Sequence, residues 1–369
     1  MKVCHMTSAH ESTDVRIFRK ECVSLAAAGY ETYLVARGES REERGVHVVG
    51  VGPAPEGRLQ RMTTFARTVY RRALELDADL YHIHDPELLP YARKLKRRGK
   101  KVIFDSHENA PAQIAEKRYL PGPARRLVSA LYKAFETFIV RKLDAVIIPC
   151  TIDGVDIFAG RAKRACFITN YPILSEFRAP AVRVLQGEEV CYVGSLSYSR
   201  GVLHLIQGTA RAQKRLLLIG SFVNEEFEKQ IRSLPEFSCV TYLGEKPNTQ
   251  IPELTEHCLV GANTLLDIGQ YHHADTFGVK VCEYMALGMP VLTFDSQYMR
   301  SMMEKYQFGL CVRPDDPAEI AAAITYLCDH PDEARRMGEN GLRAVKQEFN
   351  WKTQESKLLT LYREIFEQA

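Results

Sequence analysis

Short apolar runs alternate with amphipathic helical patterns along almost the whole chain. The candidate strands of the first half are KVCHMT, ETYLVA, VHVVG, DLYHIH, KVIFD, DAVIIPC and ACFIT. Helical patterns lie between them, such as DVRIFRKECVSLAAAG, which ends at Gly29 as a helix with a glycine cap would. This alternation predicts an α/β fold in which helices cover both faces of a parallel sheet.

The alternation breaks over residues 171–189, where two prolines occur and no periodicity is sustained. A second series of candidate strands follows: EVCYVGS, RLLLIGS, VTYLGE, CLVGANTLL, PVLTF and GLCVR. A length of 369 residues suits two domains. We therefore expect an N-terminal domain over 1–175, a C-terminal domain over 186–350, and a helix over 351–369 that packs back toward the N-terminal domain. Two Rossmann-like, doubly wound domains facing each other are expected to bind ligands in the cleft at the carboxyl ends of their strands.

Charge is distributed unevenly between the two halves. Residues 1–185 hold 31 Lys and Arg against 21 Asp and Glu, whereas the remainder holds 18 against 25. A basic first half predicts an anionic partner, either a phosphate-bearing acceptor or a lipid surface. No nucleic-acid-binding motif accompanies the basic residues, so nucleic acid is not expected as a partner.

The apolar runs are too short to cross a membrane, and the first residues do not have the pattern of a signal peptide. We therefore expect a cytoplasmic protein. The ten cysteines form no CxxC pair and several lie in apolar strand candidates, which predicts free thiols rather than disulfides.

The most informative segment is DTFGVKVCEYMALGMP, residues 275–290. A helix is predicted to begin near Thr276–Gly278, and its first N–H groups and its dipole favour an anion. Lys280 and Glu283 are three residues apart and share a face. A lysine at this position suits a phosphate and a carboxylate one turn later suits sugar hydroxyls, although an ordinary surface helix with a Lys–Glu pair explains the same residues.

This segment resembles the signature of the retaining glycosyltransferases of family four (glycosyl transferases group 1), which have the GT-B fold. Their two acidic residues, separated by seven others, correspond in spacing to Asp275 and Glu283. The resemblance implies that Glu283 binds the donor ribose, that Asp275 lies near the donor sugar, and that the amides of Phe277 and Gly278 lie near the diphosphate. The chain departs from the common pattern because Asp275 stands in place of a glutamate.

A second segment, CYVGSLSYSRGVLHLI, supports the same resemblance. Family members usually carry an arginine just after the VG and a lysine beside the later glycine, both of which bind the diphosphate. The first position is Ser195 here and the second is Arg200. We infer that Lys280 replaces the missing charge, so that Arg200 and Lys280 together stabilise the leaving group. Gly194 and Gly244, which follow strand candidates, complete the predicted donor site.

Three segments of the first half follow strands and are predicted to reach the cleft: HESTDVRIFRKE (10–21), HIHDPELLP (82–90) and FDSHEN (104–109). His107 resembles the family's cleft histidine near the reacting carbon, and it joins Asp275 and Lys280 as a predicted catalytic residue. The predicted acceptor-binding residues are His10, Arg16, His84, Asp85 and Glu108. Asp85 precedes a proline and is equally explained as a helix cap.

No metal site is expected. Asp77 and Asp79 spell DAD but follow a helix rather than a strand. His272, His273 and Asp275 could be metal ligands, but neighbouring side chains are expected to point apart and no further ligand is evident. The helix that contains Leu127, Leu131, Phe135 and Phe138 is flanked by basic residues, which predicts peripheral contact with a membrane.

The sequence therefore predicts an enzyme of the glycosyltransferase class (EC 2.4). It would transfer a sugar from a nucleoside diphosphate sugar, with UDP-sugar favoured and no further cofactor, to a glycan or lipid-linked acceptor with retention of configuration. Two alternatives remain open. One is a nucleotide-sugar epimerase on the same fold, and the other is an inactive partner subunit, which Ser195 and Asp275 make credible.

Overall fold

The computed structural model describes residues 1–53, 56–116, 121–177 and 189–367. The chain forms two compact units, one of Met1–Asn170 with Lys352–Ala369 and the other of Tyr171–Trp351. Most of the predicted break at 171–189 lies outside the described residues. Both units are α/β layers built on sheets of mainly parallel strands, as the sequence predicted.

The first unit contains an eight-stranded sheet with the order β3-β4-β2-β1-β5-β6-β7-β8. All neighbours are parallel except β3 and β4. The strands are β1 (Lys2–Glu11), β2 (Glu31–Arg37), β3 (Arg41–Glu43), β4 (Val46–Gly50), β5 (Leu80–Ile83), β6 (Lys101–Asp105), β7 (Ala145–Ile148) and β8 (Ala165–Phe167). The charged strand β3 was not predicted, because its three residues have no apolar alternation.

Helices cover both faces of this sheet. A wide π-helix over Val15–Cys22 continues as α1 (Val23–Ala27), a second π-helix spans Arg61–Phe65, and a 3-10 turn spans Pro86–Leu88. The other helices are α2 (Arg58–Gln60), α3 (Ala66–Glu75), α4 (Leu89–Arg97), α5 (Ala110–Glu116) and α6 (Gly122–Val140). Gly29 follows α1 with a φ of 89°, which matches the predicted glycine cap.

The core of the first unit lies on both faces of the sheet. Tyr81, Ile83 and Phe104 pack with α3 and α4 on one face, while Ile17, Phe18 and Leu34 pack on the other. Strand β1 pairs with β2 on one side and β5 on the other, so His5 and His82 are register partners. Since partners in adjacent strands point to the same face, these two histidines share one face.

The second unit contains a six-stranded parallel sheet with the order β11-β10-β9-β12-β13-β14. Its strands are β9 (Glu189–Val193), β10 (Arg215–Ile219), β11 (Val240–Tyr242), β12 (Cys258–Asn263), β13 (Val291–Phe294) and β14 (Gly309–Val312). All six strand candidates of the second series are confirmed. The strand order reverses between β9 and β12, which is where ligands bind in open α/β sheets.

The helices of the second unit also lie on both sides of the sheet, over two separate apolar clusters. They are α7 (Val202–Arg211), α8 (Glu225–Arg232), α9 (Ile251–Leu254), α10 (Val279–Ala286), α11 (Gln297–Tyr306), α12 (Pro317–Asp329) and α13 (Pro331–Gln347). Short 3-10 turns span Leu174–Glu176, Pro235–Cys239 and Asn248–Gln250.

The last helix, α14 (Trp351–Glu367), starts at the end of the second unit and belongs almost wholly to the first. Leu358, Leu361, Tyr362 and Ile365 are buried along it at spacings of three and four residues. The hydroxyl of Tyr362 lies 2.8 Å from Nδ1 of His82, which connects this helix to β5.

All ten cysteines are free thiols, as the sequence predicted. Among the residues described, no helix combines the length and the apolar character that crossing a membrane requires.

Candidate active site

A loop at the carboxyl end of β9 forms the centre of the candidate donor site. Gly194 begins the loop with a φ of +134° and Gly201 ends it with a φ of +70°, conformations that L side chains rarely adopt. A Cβ atom on Gly201 would lie 1.8 Å from the carbonyl oxygen of Thr264, the residue after β12. The loop is therefore packed at the point where β9 and β12 meet and the strand order reverses.

Lys280 reaches this loop from the first turn of α10. Its ammonium nitrogen lies 3.7 Å from the centre of the Tyr192 ring, within the range of a cation–π contact. A Cβ atom on Gly194 would lie 3.1 Å from the same nitrogen. The helix begins where the sequence predicted, since Gly278 is the residue that precedes α10. The two distances place Lys280 beside the glycine loop.

Arg200 lies near Lys280 on the same unit. Burial lowers the pKa of Lys280 well below its ordinary value of 10.5, and the positive charge of Arg200 lowers it further, while Glu283 acts in the opposite direction. The guanidinium of Arg200 lies 5.3 Å from the centre of the Tyr271 ring. Neither cation forms an ion pair with a carboxylate of the described residues. Two like charges are thus held together, which is unfavourable until an anion lies between them.

The other predicted donor residues lie around this pair or on the same edge of the sheet. Glu283 is half-buried on α10, Ser195 is exposed in the loop after β9, and Asp275 is half-buried ahead of α10. Gly244 follows β11, and its carbonyl accepts a hydrogen bond from the amide of Gly220 at 2.9 Å. Gly278 is exposed, with open space where a Cβ would be.

The side chain of Phe277 has a packing role. It is 2% exposed and contacts the rings of Tyr298, Phe308 and Phe349. This aromatic cluster anchors the backbone just before α10, so the amides of Phe277 and Gly278 have a defined orientation.

Sequence reasoning missed the role of Tyr284. Its buried hydroxyl accepts a hydrogen bond from the amide of Val193 at 2.8 Å. A Cβ atom on Gly261 would lie 2.3 Å from the Tyr284 ring, so this glycine leaves the space that the ring occupies. Tyr284 therefore joins α10 to the end of β9, and with it Lys280 to the glycine loop. The glycine inside the strand candidate CLVGANTLL was the available signal.

In the first unit, polar side chains gather near the carboxyl ends of β1, β5 and β6. Arg16 forms a two-pronged ion pair with Asp105, with Nε and Nη2 each 2.9 Å from a carboxylate oxygen. Its Nη1 also donates to the carbonyl of Ile168. Arg16 was predicted to contact an acceptor anion, but the structure corrects this expectation, because the guanidinium is buried and already bonded inside the unit.

His107 and His84 both approach Asp105. Nε2 of His107 lies 3.3 Å and Nδ1 of His84 lies 3.4 Å from Oδ2 of Asp105, and the two ring nitrogens are 3.2 Å apart. Burial favours protonation of Asp105, but Arg16 and then the two histidines hold its pKa well below its usual value. His107 retains some exposure, with 19% of its side chain accessible, whereas His84 is buried. His107 is thus accessible to a ligand, and His84 supports it from inside.

Asp85 is hydrogen-bonded to the second half of β1. Its Oδ2 accepts hydrogen bonds from the Thr7 hydroxyl at 2.8 Å and from the amides of Ser8 and Ala9 at 2.6 and 3.1 Å. Its side chain makes no bond to the helix that follows, so the helix-cap explanation is wrong. Asp85 is buried, and its direct contact with an acceptor stays a prediction.

The two remaining predicted acceptor residues are accessible. His10 is half-buried, and its Nδ1 lies 3.1 Å from Asp14. Burial lowers the pKa of His10, but the hydrogen bond with Asp14 and the charges of Asp85, Asp14 and Asp105 together raise it above its ordinary value. Glu108 is exposed and accepts a hydrogen bond from Gln113.

The first unit also contains a buried cluster of polar side chains that was not predicted from the sequence. His5, Glu21, His82 and Tyr362 are each fully buried, and Tyr362 lies within hydrogen-bond distance of both His5 and His82. Burial lowers the pKa of each of the two histidines and raises that of Glu21, with Asp105 adding to the shift of Glu21. The pattern HIH over 82–84, which places two histidines on one face of a strand, was the available signal.

One expectation about metals was wrong. His272 and His273 do not point apart, because both approach Asp267, at 3.6 and 3.0 Å. The group is partly exposed.

Two parallel-sheet α/β units, each with polar residues at the carboxyl ends of its central strands, define the two-domain Rossmann-like GT-B fold. Solved structures with this architecture are similar over the full chain. Sucrose-phosphate synthase from Thermosynechococcus elongatus matches with a TM-score of 0.78 and 18% identity, covering 100% of both chains. Anabaena HepE, solved in complex with UDP and glucose, matches with a TM-score of 0.73 and 16% identity over 99% of this chain and 100% of that one.

Family comparisons agree with the fold. Residues 175–344 match the family described as glycosyl transferases group 1, and residues 15–170 match the glycosyl transferase 4-like domain. The chain belongs to the family-four glycosyltransferases of the GT-B fold.

Among curated proteins, glycogen synthase of Mycobacterium tuberculosis is 24% identical over 231 residues, which cover 60% of this chain. The matched region spans 54% of that relative, so this chain corresponds to about half the length of the glycogen synthase.

Proposed function

We propose that the protein transfers a sugar from a nucleoside diphosphate sugar to an acceptor hydroxyl, with retention of configuration. In this reaction the bond between the anomeric carbon and the diphosphate oxygen breaks, and the diphosphate leaves with the bonding electrons. The acceptor oxygen forms the new bond to that carbon and releases its proton. The negative charge that develops on the diphosphate is what the site must stabilise.

The observation that carries this proposal is the pair of like charges, Arg200 and Lys280, beside the glycine loop at the carboxyl end of β9. The free protein keeps Lys280 at a lowered pKa, so an anion that binds there restores a favourable charge balance. The start of α10, just after Gly278, adds two further features that favour an anion: the N–H groups of a first helical turn and a positive helix dipole. Glu283, one turn along the same helix, is assigned to the ribose hydroxyls.

UDP-sugar is the favoured donor, and the similarity to HepE, whose structure contains UDP and glucose, supports this choice. His107 is assigned to the reacting sugar, and Asp275 is assigned to its hydroxyls. His10 and Glu108 are accessible in the first unit, Asp85 is buried next to His10, and all three are assigned to a glycan or lipid-linked acceptor. Neither a cofactor nor a metal ion is proposed for the transfer step.

A donor-turnover assay tests the proposal and its alternatives together. The chain is incubated with UDP-glucose and related nucleotide sugars, and the products are separated by mass spectrometry. Free nucleoside diphosphate with a glycosylated product supports transfer, and an isomerised donor supports the epimerase. Donor binding without any turnover supports the inactive partner subunit.

We further propose peripheral membrane contact through α6, because its apolar residues face outward. Leu127 and Leu131 are 60% and 62% exposed, one turn apart, and Phe135 and Phe138 continue the stripe. Arg93 and Lys142 each lie 4.6 Å from the centre of the Phe138 ring, so cations flank the apolar surface. Apolar side chains with adjacent cations are typical of helices that lie in the interface of an anionic membrane.

Co-sedimentation with vesicles tests this contact. Binding to vesicles that contain phosphatidylglycerol, weaker binding to pure phosphatidylcholine, and loss of binding in Leu127→Glu/Leu131→Glu are expected. Leu59→Glu, at another exposed leucine of the first unit, is the matched control. Equal sedimentation of the double variant and the parent would exclude α6 as the contact.

A further inference from the structure

Together with His84, the residues His5, Glu21 and His82 of the buried cluster have the composition and the spacing of a metal site. His5, Glu21, His82 and His84 each offer one ligand atom, and these four atoms lie within 4.8 Å of one another. Three imidazoles and one carboxylate form a set of donors that zinc accepts. All four side chains are at most 2% exposed, so the site would be closed to solvent.

The distances suit a metal ion of zinc's size. Nδ1 of His5, Nε2 of His84 and Oε2 of Glu21 form a triangle with sides of 2.9, 3.9 and 3.9 Å. The point in the plane of these three atoms that is equidistant from them lies about 2.1 Å from each. This distance matches zinc–nitrogen and zinc–oxygen bonds of about 2.0–2.2 Å.

Several atoms of the cluster lack hydrogen-bond partners although they are buried. Neither carboxylate oxygen of Glu21 has a hydrogen-bond partner, and Nε2 of His82 has none either. Oε1 of Glu21 lies 3.2 Å from Nε of Arg16 in an ion pair, which leaves Oε2 directed toward the two histidines. A buried polar atom without a partner costs about 1–3 kcal/mol, and coordination to an ion would remove that cost for both residues.

The outer nitrogen of each histidine has an oxygen partner. Nε2 of His5 and Nδ1 of His82 lie 3.1 and 2.8 Å from the Tyr362 hydroxyl, and Nδ1 of His84 lies 3.4 Å from Asp105. Metal-bound histidines almost always donate their other N–H to such an oxygen, which orients the ring. The cluster thus shows both the donors that would bind an ion and the groups that would hold those donors in place.

We propose that the first unit binds one structural zinc ion through Nδ1 of His5, Oε2 of Glu21, Nε2 of His82 and Nε2 of His84. The ion joins β1, β5 and the π-helix over Val15–Cys22, and Tyr362 connects it to α14. Since all four ligands are buried, the ion is taken up as the chain folds. This site is separate from the donor site on the second unit, and the proposal rests on no part of the proposed function.

Metal analysis of the full chain tests this proposal. The protein is produced in zinc-supplemented medium, dialysed against a chelator, and analysed for zinc by mass spectrometry. About one zinc ion per folded chain is expected to survive dialysis, because a closed four-ligand site releases its ion slowly. Production with cobalt should give the visible absorption of a four-coordinate cobalt ion.

Variants locate the ion. His82→Gln and Glu21→Gln should each lose most of the zinc, and Tyr362→Phe should retain it more weakly, by about 10–100-fold in competition with the chelator. His47→Gln, at a histidine whose side chain is 41% exposed on β4, is the matched control and should keep its zinc.

Less than half an equivalent of zinc in the folded wild-type protein overturns the proposal, and this result needs no variant to fold. Equal zinc content in the wild type, His82→Gln and Glu21→Gln also overturns it. In either case the cluster is a metal-free hydrogen-bonded network. Zinc content is measured without turnover, so its failure and the failure of glycosyl transfer are distinguishable.

Discussion

The two units differ in whether their buried cations are paired with a carboxylate. In the first unit Nε and Nη2 of Arg16 both donate to Asp105, so the charges neutralise each other inside the protein. In the second unit Lys280 and Arg200 are brought together without a carboxylate partner among the described residues, and the pKa of Lys280 falls. The first arrangement stabilises the fold, whereas the second stores an unfavourable interaction that an anionic ligand can relieve.

Arg16→Ala should have the largest effect on stability. It leaves Asp105 buried without its arginine partner. Breaking a buried ion pair in this way lowers the free energy of unfolding by about 3–5 kcal/mol. Urea denaturation measures the change. Arg72→Ala, which removes an exposed pair with Glu75, is the control and should change stability by no more than about 0.5 kcal/mol. A loss below about 1 kcal/mol for Arg16→Ala would contradict the comparison.

Lys280→Ala and Glu283→Ala should each reduce donor turnover at least about tenfold, or about 1.4 kcal/mol of barrier. Steady-state kinetics with the best donor measures this. Lys229→Ala, at a lysine of α8 that is 81% exposed, should retain parental turnover. Near-parental activity in both site variants would refute the assignment of α10 to the donor.

A measurement of stability distinguishes the role of Lys280 in the donor site from that of Arg16 in the first unit. Lys280→Met removes a charge that repels Arg200, so the free energy of unfolding should stay unchanged or rise by up to about 1 kcal/mol. A clear loss of stability on urea denaturation would show instead that Lys280 serves the fold, as Arg16 does.

UDP binding should weaken as the pH rises. Below its lowered pKa Lys280 is charged and attracts the diphosphate, and above that value the attraction is lost unless binding takes up a proton. Affinity should therefore fall by up to about tenfold per pH unit, between the lowered pKa of the free protein and the raised pKa of the complex. Calorimetry measures the affinity for UDP from pH 7.5 upward. In this range the phosphates are fully ionised, because their last pKa is about 6.

The same titration with Lys280→Met should show little pH dependence. Tyr192, whose ring faces the ammonium, and Arg200 and Glu283, whose charges act on it, all remain in this variant, so the comparison isolates Lys280. A pH dependence equal to that of the parent would assign the proton to another group.

Tyr284→Phe should have a smaller effect on stability than Arg16→Ala. It removes the acceptor of the Val193 amide and leaves the ring in place, so stability should fall by about 1 kcal/mol. Turnover should fall as well, because Tyr284 links α10 to the glycine loop. Thermal denaturation and kinetics measure the two effects, and a decrease in neither would show that the hydrogen bond has no role.

The sequence predicted the parts of the molecule that depend on local patterns. Apolar runs located all of the parallel strands, and Gly288 and Pro290 marked the end of α10. Lys280 and Arg200 were assigned to one site because the resemblance places Arg200 at a diphosphate-binding position and Lys280 lies at a predicted helix start, where an anion is favoured. Asp275 was found only through a resemblance, and the local pattern alone could not distinguish Glu283 from a member of an ordinary surface Lys–Glu pair.

Contacts between distant residues could not be predicted. Arg16 and Asp105 are 89 residues apart, and nothing in either segment indicates that they pair. The cluster of His5, Glu21 and Tyr362 depends on the register between β1 and β5 and on the return of α14, which only the folded chain defines. Tyr284 was missed because its partners, Gly261 and Val193, lie on two other strands.

A crystal structure with a bound UDP-sugar would test whether Arg200 and Lys280 bind the diphosphate. Phosphate oxygens are expected within about 3.2 Å of Nζ of Lys280 and of a guanidinium nitrogen of Arg200, above the loop that begins at Gly194. A diphosphate bound elsewhere, with Lys280 still over the Tyr192 ring and without a phosphate contact, would contradict it.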